Sequence, residues 1–219
     1  MPVSFEQFKP IYEVKDLQGY AEEAIASLKE QFGAVPQVLE DYYRSAGRTK
    51  AFHQVQDTWV APEDQPKQGK LREEGHLMLL NENQGACCAA VLKKDLNQPD
   101  PPVYTSMDDE NWTICAKSVS EFLMAVLAYE SVFTFTYDPE GIYCLTEEEY
   151  DFIQTKLTKL PFELLNWIDC HISLYQNRPD DMVAVLECED GELQMLYGAA
   201  TESSYEELAT ILEDVGEEL

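Results

Sequence analysis

Leu17, Tyr20, Ala21, Ala24, Ile25 and Leu28 recur at helical spacing, which predicts a helix over residues 16–32 with Asp16 as N-cap and Gly33 as its stop. Pro36 then opens a second helix, with Val38, Leu39, Tyr42 and Tyr43 inward and Gly47 closing it. The two make a helical hairpin. The pattern changes after that. "AFHQVQDTWV" alternates weakly, and "APEDQPKQGKLREEG" reads as a polar loop. Apolar runs at 76–81, 86–93, 102–106 and 112–117 predict strands. Residues 118–133 return to helical spacing, opened by a Ser118-x-x-Glu121 capping box.

"YDPEG" at 137–141 is a turn and the expected lobe boundary. Thr146 and Glu149 form a second capping box for a helix reaching Leu157. "LPFELLNWIDCHISLYQN" is ambiguous: its first half can be read as helix, and its second half reads as extended. In "MVAVLECEDGELQMLYGAA", Asp190-Gly191 between two apolar runs predicts a β-hairpin with a type I′ turn. A last helix starts near Ser204, with Tyr205, Leu208, Ala209, Ile211, Leu212 and Val215 inward. Helices and strands come in blocks rather than in βαβ alternation, so the expected class is α+β: a twisted, mostly antiparallel sheet flanked by helices, with a C-terminal β-hairpin plus helix. The expected organisation is a core over 1–137 and a C-terminal lobe over 138–219 packed on it as one domain.

Charge changes the functional picture. Forty-two Asp and Glu face fifteen Lys and Arg, a formal net charge of −27 in 219 residues. Such a surface repels nucleic acid, whose phosphates need Lys and Arg to replace their counterions. It also repels an anionic membrane and attracts basic proteins. Arg178 is the last basic residue, and thirteen acids follow it. The N-terminus lacks a basic start before a long apolar stretch, and no run has the length of a membrane span, so a cytoplasmic protein is expected.

Candidate chemistry is sparse. The six cysteines form no CxxC pair and lie within apolar runs, where free, buried thiols are expected. His53, His76 and His171 match no zinc spacing, and Cys170 and His171 would face opposite sides of a strand. There is no G-x-S-x-G elbow and no phosphate-binding glycine loop. No cofactor and no metal are expected. Trp59 and Trp112 can be read as binding anchors or as core; the core reading is favoured for Trp112. Asn81, Glu82, Asn83 and Gln84 cluster as they would around a ligand, but their amides also suit the backbone of a hairpin turn beside Gly85. Pro101 biases Asp100, and Pro102 biases Pro101, away from helix, and neither can donate to a ladder, so they are expected to enter from an edge and fix the register of the Val103-Tyr104 strand.

Three motifs occur in order: "AVPQVLEDYYRSAG", "LLNENQGACCAAVLKKDLNQPDPPVY", and Trp112 followed by "SVSEFL". Together they resemble the SUKH superfamily, which includes domains similar to the fungal cell-wall assembly regulator and to Syd. The likeness covers about residues 20–135. Cys87-Cys88 departs from it, standing where relatives commonly carry an aromatic residue. The resemblance implies no catalysis. It implies an immunity protein that binds and neutralises a cognate polymorphic toxin, in many cases a nuclease with a basic surface. On that reading the partner-binding residues are the turn Asn81, Glu82, Asn83 and Gln84, the loop Asp108, Asp109 and Glu110 with Trp112, and Glu206 and Glu207 of the last helix. The expected partner is a basic toxin protein, not nucleic acid or membrane, bound by a monomer or weak dimer. A regulatory scaffold and a small-ligand binder are the alternatives.

Overall fold

The structure is a computed structural model and describes residues 4–189 and 191–219. The fold is α+β, with two antiparallel sheets of five and six strands. The chain divides into two compact units, one of residues 1–5 and 16–123, the other of 6–15 and 124–219. Among the described residues, no helix is long and apolar enough to cross a membrane.

The second unit begins with a short helix, α1 (Phe8–Ile11), which the periodicity did not predict. In the first unit, α2 (Glu22–Phe32) and α3 (Gln37–Ser45) form the expected helical hairpin. However, α2 starts six residues later than Asp16, and the residue at its N-cap is Ala21. The lead-in is held extended by tertiary hydrogen bonds: Tyr20 N–H donates to the Tyr43 carbonyl (2.7 Å) and Gln18 N–H to Thr49 Oγ1 (2.9 Å). Gly19 permits this approach, since a Cβ there would lie 1.8 Å from the Arg44 carbonyl oxygen.

The first sheet is a meander of β1 (Thr58–Trp59), β2 (Leu77–Asn81), β3 (Cys88–Val91), β4 (Val103–Ser106) and β5 (Thr113–Ala116), paired in that order. Leu77–Leu80 and Cys88–Val91 are buried without alternation because both faces are covered. One face packs Met78, Cys88 and Ala90 against Val60, Leu71 and half-buried Trp112. On the other, Leu79 lies near Leu39, Tyr42 and Trp59. Trp59 is core, against the rings of Tyr42 and Phe122.

The expected polar loop is instead structured, with a 3₁₀ helix (Pro62–Lys67) and a short helix, α4 (Gly69–Glu73). Gln65 explains why. Fully buried, its side-chain amide donates to the Met78 carbonyl (2.6 Å) and accepts from Met78 N–H (3.2 Å). One side chain thus replaces a strand partner at the bulge where the β2–β3 register shifts. The prolines do not enter from an edge. They stop just short of β4, an inner strand, and the Pro101 carbonyl accepts the first N–H of α5 (Val119–Ser131). Asp100 accepts from both the backbone and the hydroxyl of Ser120, while Ser118 Oγ accepts Glu121 N–H (3.2 Å), half of the predicted box.

The second unit holds β6 (Tyr143–Leu145), α6 (Glu147–Lys156), β7 (Thr158–Trp167), β8 (Cys170–Gln176), β9 (Asp181–Cys188), β10 (Leu193–Ala199), α7 (Glu202–Ile211) and β11 (Glu217–Glu218). Its sheet order is β11-β6-β10-β9-β8-β7. Ile153 of α6, Leu157 just after it and Leu208 of α7 pack with Tyr175, Val183, Val185 and Met195 of the sheet. The Thr146–Glu149 capping box is present in full. The last helix starts at Glu202, with Thr201 as its N-cap accepting Ser204 N–H. Asp180 accepts from the hydroxyls of both Thr201 (2.6 Å) and Ser204 (2.8 Å).

The ambiguous segment contains no helix; it is the long hairpin β7–β8. Pro161 is tolerated because β7 is the edge strand. The two turn residues, Ile168 and Asp169, both have positive φ (50° and 58°), as a type I′ turn requires. A β-branched residue is a poor occupant of that region. Ile168→Asn combined with Asp169→Gly should therefore stabilise the protein by about 1 kcal/mol net of the half-buried isoleucine contacts. A higher urea midpoint at unchanged m-value checks this; an unchanged or lower midpoint refutes it.

The β9–β10 hairpin forms, but its closing bonds lie at Cys188 rather than at Glu189, so its loop is longer than the two-residue type I′ turn expected at 190–191. Gly191 N–H donates to the Cys188 carbonyl and Cys188 N–H to the Glu192 carbonyl (both 2.9 Å), with Gly191 at φ 87°. Asp190, half of the predicted turn pair, lies outside the described residues.

Candidate functional site

At one end of the first sheet, the β2–β3 turn and the β4–β5 loop meet. Cys88 is opposite Ser106 in register, and its thiol donates to Asp109 (3.7 Å). Between the two loops lies a concavity of about 400 Å³, lined by Asn81, Gly85 to Cys88, Ser106, Met107 and Asp109. Lys67, Gln68, Gly69 and Leu71, from the segment read as a polar loop, supply its remaining wall.

The turn is built by carboxylates rather than by its amides. Glu82 Oε2 accepts the backbone N–H groups of Gln84 and Ala86 (both 2.9 Å), and Asp57 accepts that of Asn83 (3.1 Å). Gly85 has φ 76° and donates to the Glu82 carbonyl. Asn81 reaches across to Gln68 (3.4 Å). Carboxylates outperform amides here because an ionised oxygen accepts from two N–H groups more strongly.

The second loop has its own internal anchor. Asp108 accepts from the backbone of Glu110 (2.9 Å) and from the backbone and side-chain amide of Asn111 (both 2.7 Å). The Asn111 bonds, then that from Glu110, hold the Asp108 carboxyl well below its ordinary value. Asp109 follows at φ 62°. Glu110 is 3.5 Å from Lys70. Trp112 sits edge-on to His76, ring centroids 5.3 Å apart, half-buried against the small cluster beneath it. Met107 is 55% exposed at the concavity, and Ile114, on edge strand β5, is 48% exposed. Burial, then the Asp109 carboxylate, push the Cys88 thiol up to about 12, so it is protonated and a poor nucleophile at neutral pH.

Of the residues marked in the sequence, Asn81 and Asp109 line this concavity; Glu82, Asn83, Gln84, Asp108, Glu110 and Trp112 lie in the two loops beside it. Glu206 and Glu207 belong to the other unit, on α7, where Glu207 forms an ion pair with Arg178. The residues the sequence missed are Lys67, Gln68, Gly69 and Leu71, because a wall made of a 3₁₀ helix and one α-helical turn has too little periodicity to show.

The cysteine expectation needs correction. Cys170 and Cys188 form a disulfide; Cys87, Cys88, Cys115 and Cys144 are free. Cys170 and Cys188 are direct register partners of β8 and β9, a relation invisible before strand pairing is known. On the other face, His171 lies 3.2 Å from Glu163 and 3.6 Å from Glu187, and Tyr150 OH donates to Glu187 (3.1 Å). Burial raises the Glu163 carboxyl, but hydrogen bonds from Lys159 and His171 outweigh it and hold the group below its ordinary value. Among the described residues, no three His, Cys, Asp or Glu side chains converge as a metal site requires.

Comparison with protein families, with curated proteins and with solved structures returns no match.

Proposed function

We propose that this chain is a non-enzymatic, cytoplasmic binding protein that neutralises a basic partner, a cognate toxin, by covering its positively charged surface. The observation that carries the reading is the meeting of the two loops around one concavity that exposed Met107 lines. Exposed apolar side chains rimmed by polar groups are what an interface core and its rim require. The net charge of −27 supplies long-range attraction, and a basic partner is steered to it faster than a neutral one. The SUKH-like motifs support the same class of partner.

Captured proteins should be enriched in basic domains. Expression of the chain should protect cells producing the toxin encoded beside it. Trp112→Ala with Met107→Ser should weaken capture at least about tenfold, the scale of a hot-spot loss. Raising salt should slow association more than it speeds dissociation. Undiminished capture by the double variant, or no basic protein and no protection, overturns the proposal.

A further inference from the structure

The second unit carries a groove of about 580 Å³ between α6 and the end of α7. Phe152, Ile211 and Val215 give it an apolar floor, and Phe152 is 37% exposed. Its rim carries Glu148, Glu149, Glu213 and Asp214, and no Lys or Arg lines it. Among the described residues, Glu148, Glu213 and Asp214 have no ion-pair partner, whereas Lys9, Lys159 and Arg178 of this unit are already paired with acids. Glu149 is committed to the fold: it accepts from Thr146 N–H (2.7 Å) and Gly216 N–H (2.9 Å), which keeps its carboxyl below the ordinary value and charged. The Phe152 ring already attracts a cation, Lys156 Nζ, 5.4 Å from its centroid.

We propose that this groove docks an arginine of a basic partner protein. The aliphatic stem would lie on Phe152 and Ile211, and the guanidinium would face the rim carboxylates. Apolar floor, aromatic ring and uncompensated carboxylates together suit arginine better than lysine, because guanidinium is planar, stacks on rings, forks onto carboxylates and is less strongly hydrated. The volume falls in the range of a small-ligand pocket, so it takes one or two side chains rather than a domain. The proposal rests on the reading of the partner as basic, but not on the loops of the first unit.

The test uses the full chain and three capped hexapeptides, Leu-Ser-Xaa-Leu-Ser-Gly, with arginine, lysine or citrulline at Xaa. Amide shifts in the two-dimensional NMR spectrum should move at residues 148–156 and 210–215 with the arginine peptide. Lysine should bind at least about threefold more weakly, and neutral citrulline should not bind. Phe152→Ala, and separately Glu213→Gln with Asp214→Asn, should weaken binding at least about fivefold while leaving the rest of the spectrum in place. Glu23→Gln with Glu30→Gln removes the same charge from α2 and should change binding less than twofold. Equal loss in that control, equal binding of citrulline, or shifts confined to other residues overturns the proposal. Because the peptides are read residue by residue in this unit, such a failure leaves the first-unit loops untouched, and failure of toxin capture leaves the groove result standing.

Discussion

Reducing the Cys170–Cys188 disulfide should lower the stability of the second unit by about 3 kcal/mol. The two residues are directly opposed in β8 and β9, with Cα atoms 4.1 Å apart and a sequence separation of 18. Cross-linking a loop of that length removes unfolded-chain entropy of about this size. The native cost of breaking the bond is small, because six register pairs join β8 to β9 and Glu189 N–H still donates to the Asp169 carbonyl (3.1 Å) between the two hairpin ends. Urea titrations with and without a phosphine reductant, repeated on Cys170→Ala with Cys188→Ala, measure the difference. The variant should match the reduced protein and ignore the reductant. Thiol labelling of the unfolded chain without reductant should find four groups, the six cysteines less the bonded pair. Six groups in protein taken from a reducing cytosol would mean that the pair is held as thiols there, and that the oxidised form gains its stability only outside it. Coincident midpoints in the oxidised and reduced proteins would show that the bond constrains nothing.

What could be read from the chain, and what could not, divides by the range of the interactions. The α2–α3 hairpin, the meander strands, the Thr146–Glu149 box and the β9–β10 hairpin are all written in local signals: periodicity, caps and a glycine turn. The failures are places where a distant group overrides the local one. Asp16 is a good N-cap, yet residues 17–21 are drawn off by hydrogen bonds to Tyr43 and Thr49. Gln65 looks like a loop residue until Met78 supplies both of its partners. The stretch around Pro161 is ambiguous, its first half readable as helix, because only sheet order reveals that it is a strand lying at an edge. The candidate site follows the same division. Asn81–Gln84 and Asp108–Trp112 could each be marked as turns, and the acids carry their backbones as turn chemistry demands. That one residue of each, Asn81 and Asp109, lines a common concavity depends on the pairing of β3 with β4, which no short stretch encodes.

The stability of the protein should fall as pH rises from about 4 to above 6, and Asp181 should be a principal cause. Its side chain is wholly buried, where β9 begins. Its two oxygens accept the backbone N–H groups of Asn177 and Arg178 (both 2.9 Å), closing the β8–β9 loop. Those bonds favour the carboxylate, but burial outweighs them and pushes its pKa up to about 6 from 3.8. A carboxyl raised on folding holds its proton more tightly in the native chain than in the unfolded one. Its contribution to stability is complete below about 4 and is lost as pH climbs through 6, amounting to at most roughly 3 kcal/mol. His76 acts in the opposite direction: burial lowers its pKa, so folding is penalised as pH falls below the ordinary histidine value. Glu149 and Glu163, lowered on folding, lose stability only in the acid range below ordinary carboxylates. Asp181→Asn isolates the Asp181 contribution, since the amide keeps an acceptor for the loop and cannot ionise. Urea midpoints measured between pH 4 and 7.5 should give a flatter profile for the variant, with the two proteins diverging between pH 4 and 6.5 and the variant relatively more stable at the top of the range. Parallel profiles would mean that the buried carboxyl titrates as it does in the unfolded chain, with its two N–H donors balancing its burial.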